Sequence, residues 1–452
     1  ARWRAVFNEK LIGYFSAGYD HYDYNNRETV NASTAYKLSF DINQYFVKAD
    51  FTNILADKHT LNFGFKSMLY HINSGTYEPE GSESFVKKDV LQKDKALETA
   101  FYLGDEWEIT PKLSVNAGIR YSLFSALGPR SYYQYASGML PHESTITDTI
   151  TAGAGKFMKT YHGPEFRLSA RYAFTDNFSV KAGFNSMRQY IHKLSNTVIM
   201  SPTDTWKLSD VNIKPQRGWQ AAGLYLNSPS GIWEYSVEGY YKRMSDYLDY
   251  RGGAKLLMNH HIETDVINTQ GHAYGVELQV KKQVGKLNGW MSYTYSRTFL
   301  RQNDKRIEKP VNNGDWYPTE YDKPHDFKFV GNYKFTHRYS MSINVDYSTG
   351  RPTTIPAGQY YDESTQSMRV YYTERNSYRI PDYFRTDISF NIEPSHHLTL
   401  LTHSSISIGV YNVTGRKNVY SIYYMPEEGQ IKGYQISIFG VPIPFITYNI
   451  KF

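Results

Sequence analysis

The chain has no cysteine. Disulfides and thiolate metal centres are therefore excluded. It also lacks any apolar run near the ~18 residues that a membrane-crossing helix needs. The longest such stretch, around Phe439 to Ile446, is cut by Pro442 and Pro444. Mean hydropathy is −0.57, too polar for a bundle of membrane helices. Large charge asymmetry is missing as well: the net charge of +6 over 452 residues is no nucleic-acid footprint. Linkers rich in Pro, Ser or Gly are absent, and composition does not shift along the chain, so one domain over residues 1–452 is expected. The sequence shows no signal peptide and begins at Ala1 already in a strand-like stretch, so a processed N-terminus or a partial chain is expected.

Aromatic residues, in contrast, are abundant. They make up 16% of the chain, with 42 tyrosines. Amphipathic rings suit the two interfaces of a membrane. The chain also alternates apolar and polar residues with period two, the mark of strands with two unlike faces. Leu113, Val115, Ala117, Ile119 and Tyr121 alternate with Ser114, Asn116, Gly118 and Arg120. Phe166, Leu168, Ala170 and Tyr172 alternate with Arg167, Ser169 and Arg171, and Phe178, Val180, Ala182 and Phe184 with Ser179, Lys181 and Gly183.

Connections switch regularly between short and long. Phe7 to Lys10, Ala56 to His59, Thr110 to Lys112, Thr175 to Asn177, Asn227 to Gly231, Gly285 to Asn288 and Thr336 to Arg338 read as tight turns. Between them lie long polar loops, Ser74 to Lys95, Ala126 to Thr160, Ser195 to Gln216, Gly252 to Thr269, Arg301 to Lys323 and Arg351 to Arg379. This pattern predicts an all-β fold, a transmembrane antiparallel up-and-down β-barrel with short periplasmic turns and long extracellular loops. The alternation gives about seventeen strands. Single-chain bacterial barrels close with an even number, so an odd count that begins in mid-strand predicts that further N-terminal strands lie outside this sequence.

Several groups of residues invite a chemical reading. His260, His261 and Glu263 share a loop, but adjacent histidines on an extended segment point apart, and a metal is not expected there. His396 and His397 fall at an expected periplasmic turn and His403 just beyond it, away from any entrance. Glu106 with Glu108, and Glu234 with Glu238, lie on single strand faces, which suits a lumen lining better than the converging pair of a glycosidase. Neither a phosphate loop nor a nucleophile elbow occurs, so no catalytic residue, enzyme activity or cofactor is expected. The best binding candidates are loop aromatics, Tyr132 and Tyr133, Trp316 and Tyr317, and Tyr360 and Tyr361. Their faces can stack on sugars, siderophore rings or peptide side chains, or serve as an outer aromatic girdle. Arg120, Arg167, Arg171, Lys181 and Arg297 are read as a basic lumen lining. It would attract an anionic solute or pair with acidic residues of a domain inside the barrel, the second reading being preferred. The last strand sets Ile446, Tyr448, Ile450 and Phe452 on one side, the expected closing strand.

The C-terminal half carries more specific strings. They are Tyr321-Asp322-Lys323-Pro324-His325-Asp326-Phe327, then Arg379-Ile380-Pro381-Asp382-Tyr383-Phe384-Arg385-Thr386-Asp387-Ile388, then Val410-Tyr411-Asn412-Val413-Thr414-Gly415-Arg416-Lys417-Asn418-Val419-Tyr420. With the terminal Phe452, this order resembles the barrel of TonB-dependent outer-membrane receptors of the Bacteroidetes type, distantly akin to SusC-like transporters. The resemblance implies a 22-stranded barrel with an N-terminal plug inside it. This sequence would then hold the C-terminal barrel portion, without plug or TonB box. It further implies residence in the bacterial outer membrane and energised import of a scarce solute: siderophore, haem, vitamin, oligosaccharide or peptide. The implied partners are the TonB–ExbB–ExbD complex, a surface lipoprotein, the barrel-assembly machinery and membrane lipid, with no nucleic acid. A passive porin and a structural or adhesive barrel are the rival readings, and an enzyme barrel the weakest.

Overall fold

The computed structural model describes residues 1–452 except Asp57, 195–204, Gly253, Lys255, Asn303, Lys305, Glu308, 363–366, 394–402, Glu428, Gly429, Phe439 and Phe452. For 224–230, 360, 362, 367–371, 403, 425, 426, 430 and 451 it describes the backbone alone.

Period-two alternation becomes an antiparallel meander. Among the described residues, one nineteen-stranded sheet contains two short additions, Asp89–Val90 and Tyr317–Pro318, leaving seventeen strands in the wall. Each of these strands pairs with its neighbours in sequence, from Arg2–Val6 and Leu11–Glu28 to His403–Tyr411 and Ile443–Lys451. Among the described residues no pairing joins the first strand to the last. Reversals at one end are tight: Lys112 and Leu113 donate to the Thr110 side chain, and Lys10 and Leu11 to Asn8. At the other end the connections carry their own paired hairpins, such as Arg130–Tyr135 with Ile146–Ala152 and Ile191–Leu194 with Thr205–Leu208. A third, Val419–Glu427 with Gln430–Ser437, lies in a loop that the sequence pattern did not single out.

Register identifies the two faces, because directly opposed residues of an antiparallel pair share a side. Leu103 pairs with Ile119, and Ile119 with Phe166. These apolar side chains are exposed, as are Phe101 at 56% and Leu168 at 53%. So broad an exposed apolar band faces lipid. It is bounded by rings near both ends. Trp233 with Tyr235, His59 with Trp107, and Tyr333 with Phe335 lie beside the tight turns. Tyr19 with Tyr45, Tyr121 with His162, and Trp219 with Tyr241 lie toward the long loops. From Tyr235 to Tyr241 is ~20 Å of strand at ~3.3 Å per residue, the scale of an outer-membrane apolar band. The other face is polar: Tyr102 opposes Arg120, Arg120 opposes Glu165, and Arg171 opposes Lys181. The compact core sits at the long-loop end, where Tyr70, Ile72, Ala96, Phe124, Tyr190 and Leu208 pack together.

Candidate solute entrance

The long-loop end of the barrel is roofed by loops that fold back onto the wall. The hairpin Ile191–Leu194 with Thr205–Leu208 is held down by charge. Lys207 Nζ donates to both oxygens of Asp94, at 3.0 and 2.9 Å, and meets Asp210 Oδ2 at 2.9 Å. Arg130, from the preceding loop, binds Asp94 as well and lies 3.5 Å from Asp210. Two cations and two carboxylates thus neutralise one another almost out of water. Burial alone would raise the Asp210 carboxyl, but Lys207 and Arg130 outweigh it and hold its pKa at about 2. Beside them His192 is fully enclosed, with Nε2 2.8 Å from Ser209 Oγ and, among the described residues, no partner for Nδ1. Burial, and then the nearby Lys207 charge, lower its pKa to about 4.

Apolar packing supports these ion pairs. The Phe124 and Tyr190 rings stack at 4.6 Å, and the Tyr190 hydroxyl lies 2.8 Å from Ser122 Oγ. Ser74 Oγ donates to the Trp206 carbonyl at 3.0 Å, fixing the hairpin to the strand His59–Pro79. Leu194, Ile213, Leu248, Leu256, Ile262 and Val266 join the next loop to the same roof.

The candidate aromatics take different places. Tyr132 and Tyr133 are half-buried on the hairpin Arg130–Tyr135. Tyr133 stacks on His261 at 4.6 Å, and its carbonyl accepts from Asn212 at 3.1 Å. Tyr361 is 57% exposed on the hairpin Pro356–Asp362 with Ser367–Tyr372, while the side chain of Tyr360 lies outside the description. Tyr317 is buried: its hydroxyl donates to Asp249 at 2.5 Å, and Arg375 reaches the same carboxylate at 2.8 Å. That ring ties two loops to the wall. Trp316 requires a correction. Tyr317 pairs with inward Leu300, so its neighbour Trp316 emerges on the opposite, lipid-facing side. There it meets His272 at 4.3 Å, edge on, and Arg301 at 4.8 Å.

The loop histidines also have partners within the fold. His260 Nε2 is 2.8 Å from Asp89, and Glu263 accepts from the Tyr135 hydroxyl at 2.7 Å. His396 and His397, and the side chain of His403, lie outside the description.

Among the basic residues, Arg120 sits on the polar face between Glu98 and Glu165, each at 2.9 Å. Arg167, Arg171 and Lys181 share that face and are exposed, with no hydrogen bond or ion pair among the described residues. Lys181 and Glu238 flank a hollow of about 280 Å³ floored by Gly183, Ala222 and Gly223. Arg297 is the second correction. It opposes Tyr274, and its strand sends Met291, Tyr293, Tyr295 and Phe299 to the lipid side. Arg297 therefore faces outward, over the Phe299 ring at 4.5 Å and against Asp322 at 3.3 Å. In the strand Ile443–Lys451, Ile446 opposes Ile408 and Tyr448 opposes Ile406, and both Ile446 and Tyr448 stand on the lipid face with Ile450. Phe452 lies outside the description.

The residues that sequence reasoning missed are Asp94, Lys207, Asp210 and His192. Their only local signal is the brief alternation Thr205-Trp206-Lys207-Leu208, too short to mark a strand.

Comparisons with known proteins agree with this architecture. The model of the TonB dependent receptor-like β-barrel family matches residues 2–413. No curated protein sequence matches the chain. Among solved structures it is similar to the ferric-catecholate import receptor Fiu from K12 E. coli in its closed form, at 13% identity and a TM-score of 0.59, covering 99% of this chain and 62% of that one. It is similar to the ferric yersiniabactin uptake receptor FyuA from Yersinia pestis, at 13% identity and 0.61, covering 100% and 60%. The copper transporter OprC gives 13% and 0.63, covering 99% and 63%. The chain thus spans about three fifths of the solved receptors it resembles. With the family model matched across most of its length, this chain belongs to the TonB-dependent receptor-like β-barrel family, whose place is the bacterial outer membrane.

Proposed function

We propose that this barrel belongs to an active importer that takes up a scarce solute through the outer membrane under TonB control. The observation that carries the reading is the roofed entrance, together with family membership. The hairpin of Lys207, pinned to Asp94 and packed on Phe124, is folded onto the inside of the wall. A passive porin gains nothing from a roof that obstructs diffusion. A capture device needs one, because half-buried and exposed tyrosines such as Tyr133 and Tyr361 offer rigid stacking faces at its rim. An adhesive barrel would also present rigid loops, but a free basic lumen would then serve no purpose.

Arg167, Arg171 and Lys181 fit an acidic partner inside the lumen, which we take to be a plug domain carried elsewhere in the protein. Work delivered by TonB–ExbB–ExbD would displace that plug after capture. Siderophore, vitamin, oligosaccharide and peptide cargo all suit an aromatic rim. The similar structures named for iron carriers and copper make a metal carrier the first to test. The strings around Asp322, Asp382 and Asn412 favour the Bacteroidetes, distantly SusC-like, branch, and with it a surface lipoprotein over the loops. No cofactor or catalytic step enters this reading.

Uptake by a deletion strain tests it. Loss of growth on one scarce solute, restored by the gene but not in a strain lacking TonB, is the expected result. Restoration without TonB would replace the importer with a porin.

A further inference from the structure

The lipid-facing surface carries an arginine cluster that neither solute uptake nor barrel closure uses. One row of directly opposed residues runs Trp219, Arg243, His272 and Phe299 across four strands. The row below runs Ala221, Tyr241, Tyr274 and Arg297. In the row above, Arg217 opposes Ser245 and Gln270 opposes Arg301. Opposed residues share a face, and Trp219, Tyr241 and Tyr274 belong to the exposed aromatic belt. Arg217, Arg243, Arg297 and Arg301 therefore all point away from the lumen, level with that belt or just above it.

Among the described residues, two of the four have counter-ions. Arg217 binds Asp246 at 2.6 Å, and Arg297 lies 3.3 Å from Asp322. Asp322 is shared further with Arg379. Arg243 is exposed and makes no hydrogen bond or ion pair among the described residues. Arg301 lies on the Trp316 ring, and its buried Nε has no acceptor among the described residues. Arginine facing lipid costs ~2–4 kcal/mol at the bilayer midplane and ~0–1 kcal/mol near the interface. Their height is thus tolerable at headgroup level, where an anion can complete their hydrogen bonds. Guanidinium groups match phosphate oxygens two at a time. Trp316, Phe299 and Tyr241 supply an apolar floor beneath.

We propose that this patch is a binding site for the phosphate-bearing headgroup of an outer-leaflet lipid. Arg243 and Arg301 grip the phosphate, and Trp316 packs against the body of the lipid. The site faces the bilayer, so solute from the lumen does not reach it. The inference depends on the membrane orientation of the barrel and is independent of which solute is imported.

The test uses receptor extracted from outer membranes in mild detergent. Native mass spectrometry would follow titration with lipid A and with enzymatically dephosphorylated lipid A. Parallel titrations would use the variant Arg243→Gln with Arg301→Gln, and a control variant, Lys286→Ala, at a tight turn on the opposite end. Heat-modifiable mobility checks that each barrel is folded. At about fivefold per arginine, intact lipid A should bind the wild type and the control ~25-fold more tightly than the double variant. The wild type should prefer intact over dephosphorylated lipid, and excess inorganic phosphate should leave the lipid bound. Equal wild-type affinity for the two lipids overturns the proposal, whether or not the double variant folds. So does an unchanged double variant, or displacement of lipid A by inorganic phosphate.

Discussion

Lys207 and Asp94 stand 113 residues apart in sequence and meet at 2.9 Å with both side chains nearly closed to water. The strand that carries Asp94 is part of the wall, and the hairpin that carries Lys207 is part of the roof. This contact makes the roof a defined structure rather than a set of loose loops. Breaking a buried pair by removing one partner costs ~3–5 kcal/mol, because the remaining charge is stranded. Lys207→Met should therefore release the hairpin. Amide exchange of residues 205–215 should speed by ~10²–10⁴, while heat-modifiable mobility of the barrel stays normal. Changing Asp94 to Asn together with Lys207→Met should restore part of the protection, since no lone charge is then left opposite Arg130 and Asp210. Unchanged exchange in Lys207→Met would show that the apolar packing of Leu208 and Tyr190 alone seats the roof.

His192 makes the same hairpin sensitive to acid. In the closed roof burial and Lys207 hold its pKa at about 4, whereas an opened loop returns it to the ordinary value near 6.5. The neutral ring is thus favoured by the closed state. Stability is complete above pH ~6.5 and falls as pH drops toward ~4, by about 3 kcal/mol over that window. Exchange of the hairpin should rise steadily across that range. His192→Gln should flatten the profile, leaving any later loss below pH ~4 to Asp210 and the other carboxylates. A profile equally steep without His192 would assign the acid response elsewhere.

The barrel was legible from alternation and turn residues because lipid and lumen impose opposite chemistry on neighbouring positions. Leu168 and Arg167 announce their faces by type alone. Where a strand breaks that code, reading by residue type fails. Arg297 is basic yet follows the parity of Tyr293 and Tyr295, and parity, not charge, sets its face. Trp316 was grouped with Tyr317 as a loop pair, but a two-residue strand sends them to opposite sides. The roof was illegible for another reason. Asp94, Arg130 and Lys207 come from three separate segments, and nothing local in any one of them marks the meeting.

Register on the lipid face gives a direct contrast. Ala170 opposes Val115 and Ala182, in the outward row that alternates with Arg171. Ser169 opposes Asn116 and Gly183 on the polar face. An arginine at position 170 should cost ~2–4 kcal/mol near the bilayer centre, and one at 169 far less. Ala170→Arg should lower the yield of heat-modifiable barrel in outer membranes, and Ser169→Arg should leave it near wild type. Equal losses would contradict the register of these strands.

The proposal that Ile443–Lys451 closes the barrel has the most demanding test. Ile443–Lys451 pairs along nine positions with His403–Tyr411, and it sets Ile446, at 73% exposure, and Tyr448 against lipid. Removing residues 447–452 deletes most of that ladder. It leaves the ladder groups of residues 403–407, which faced 447–451, without partners at membrane depth, where each unsatisfied group costs several kcal/mol. Loss of a greasy ring alone would be milder, at most ~3 kcal/mol in a well-packed core and less against lipid. The two accounts therefore separate by severity. The deletion should abolish insertion, with the protein absent from outer-membrane fractions and from surface labelling. Phe452→Ala, which keeps the backbone, should reduce insertion only in part. Deleting six residues around Tyr361, in a hairpin outside the barrel sheet, should leave insertion intact and impair uptake. Should the terminal deletion insert normally, Ile443–Lys451 would not be the strand on which closure depends, and the seam of the barrel would have to lie elsewhere.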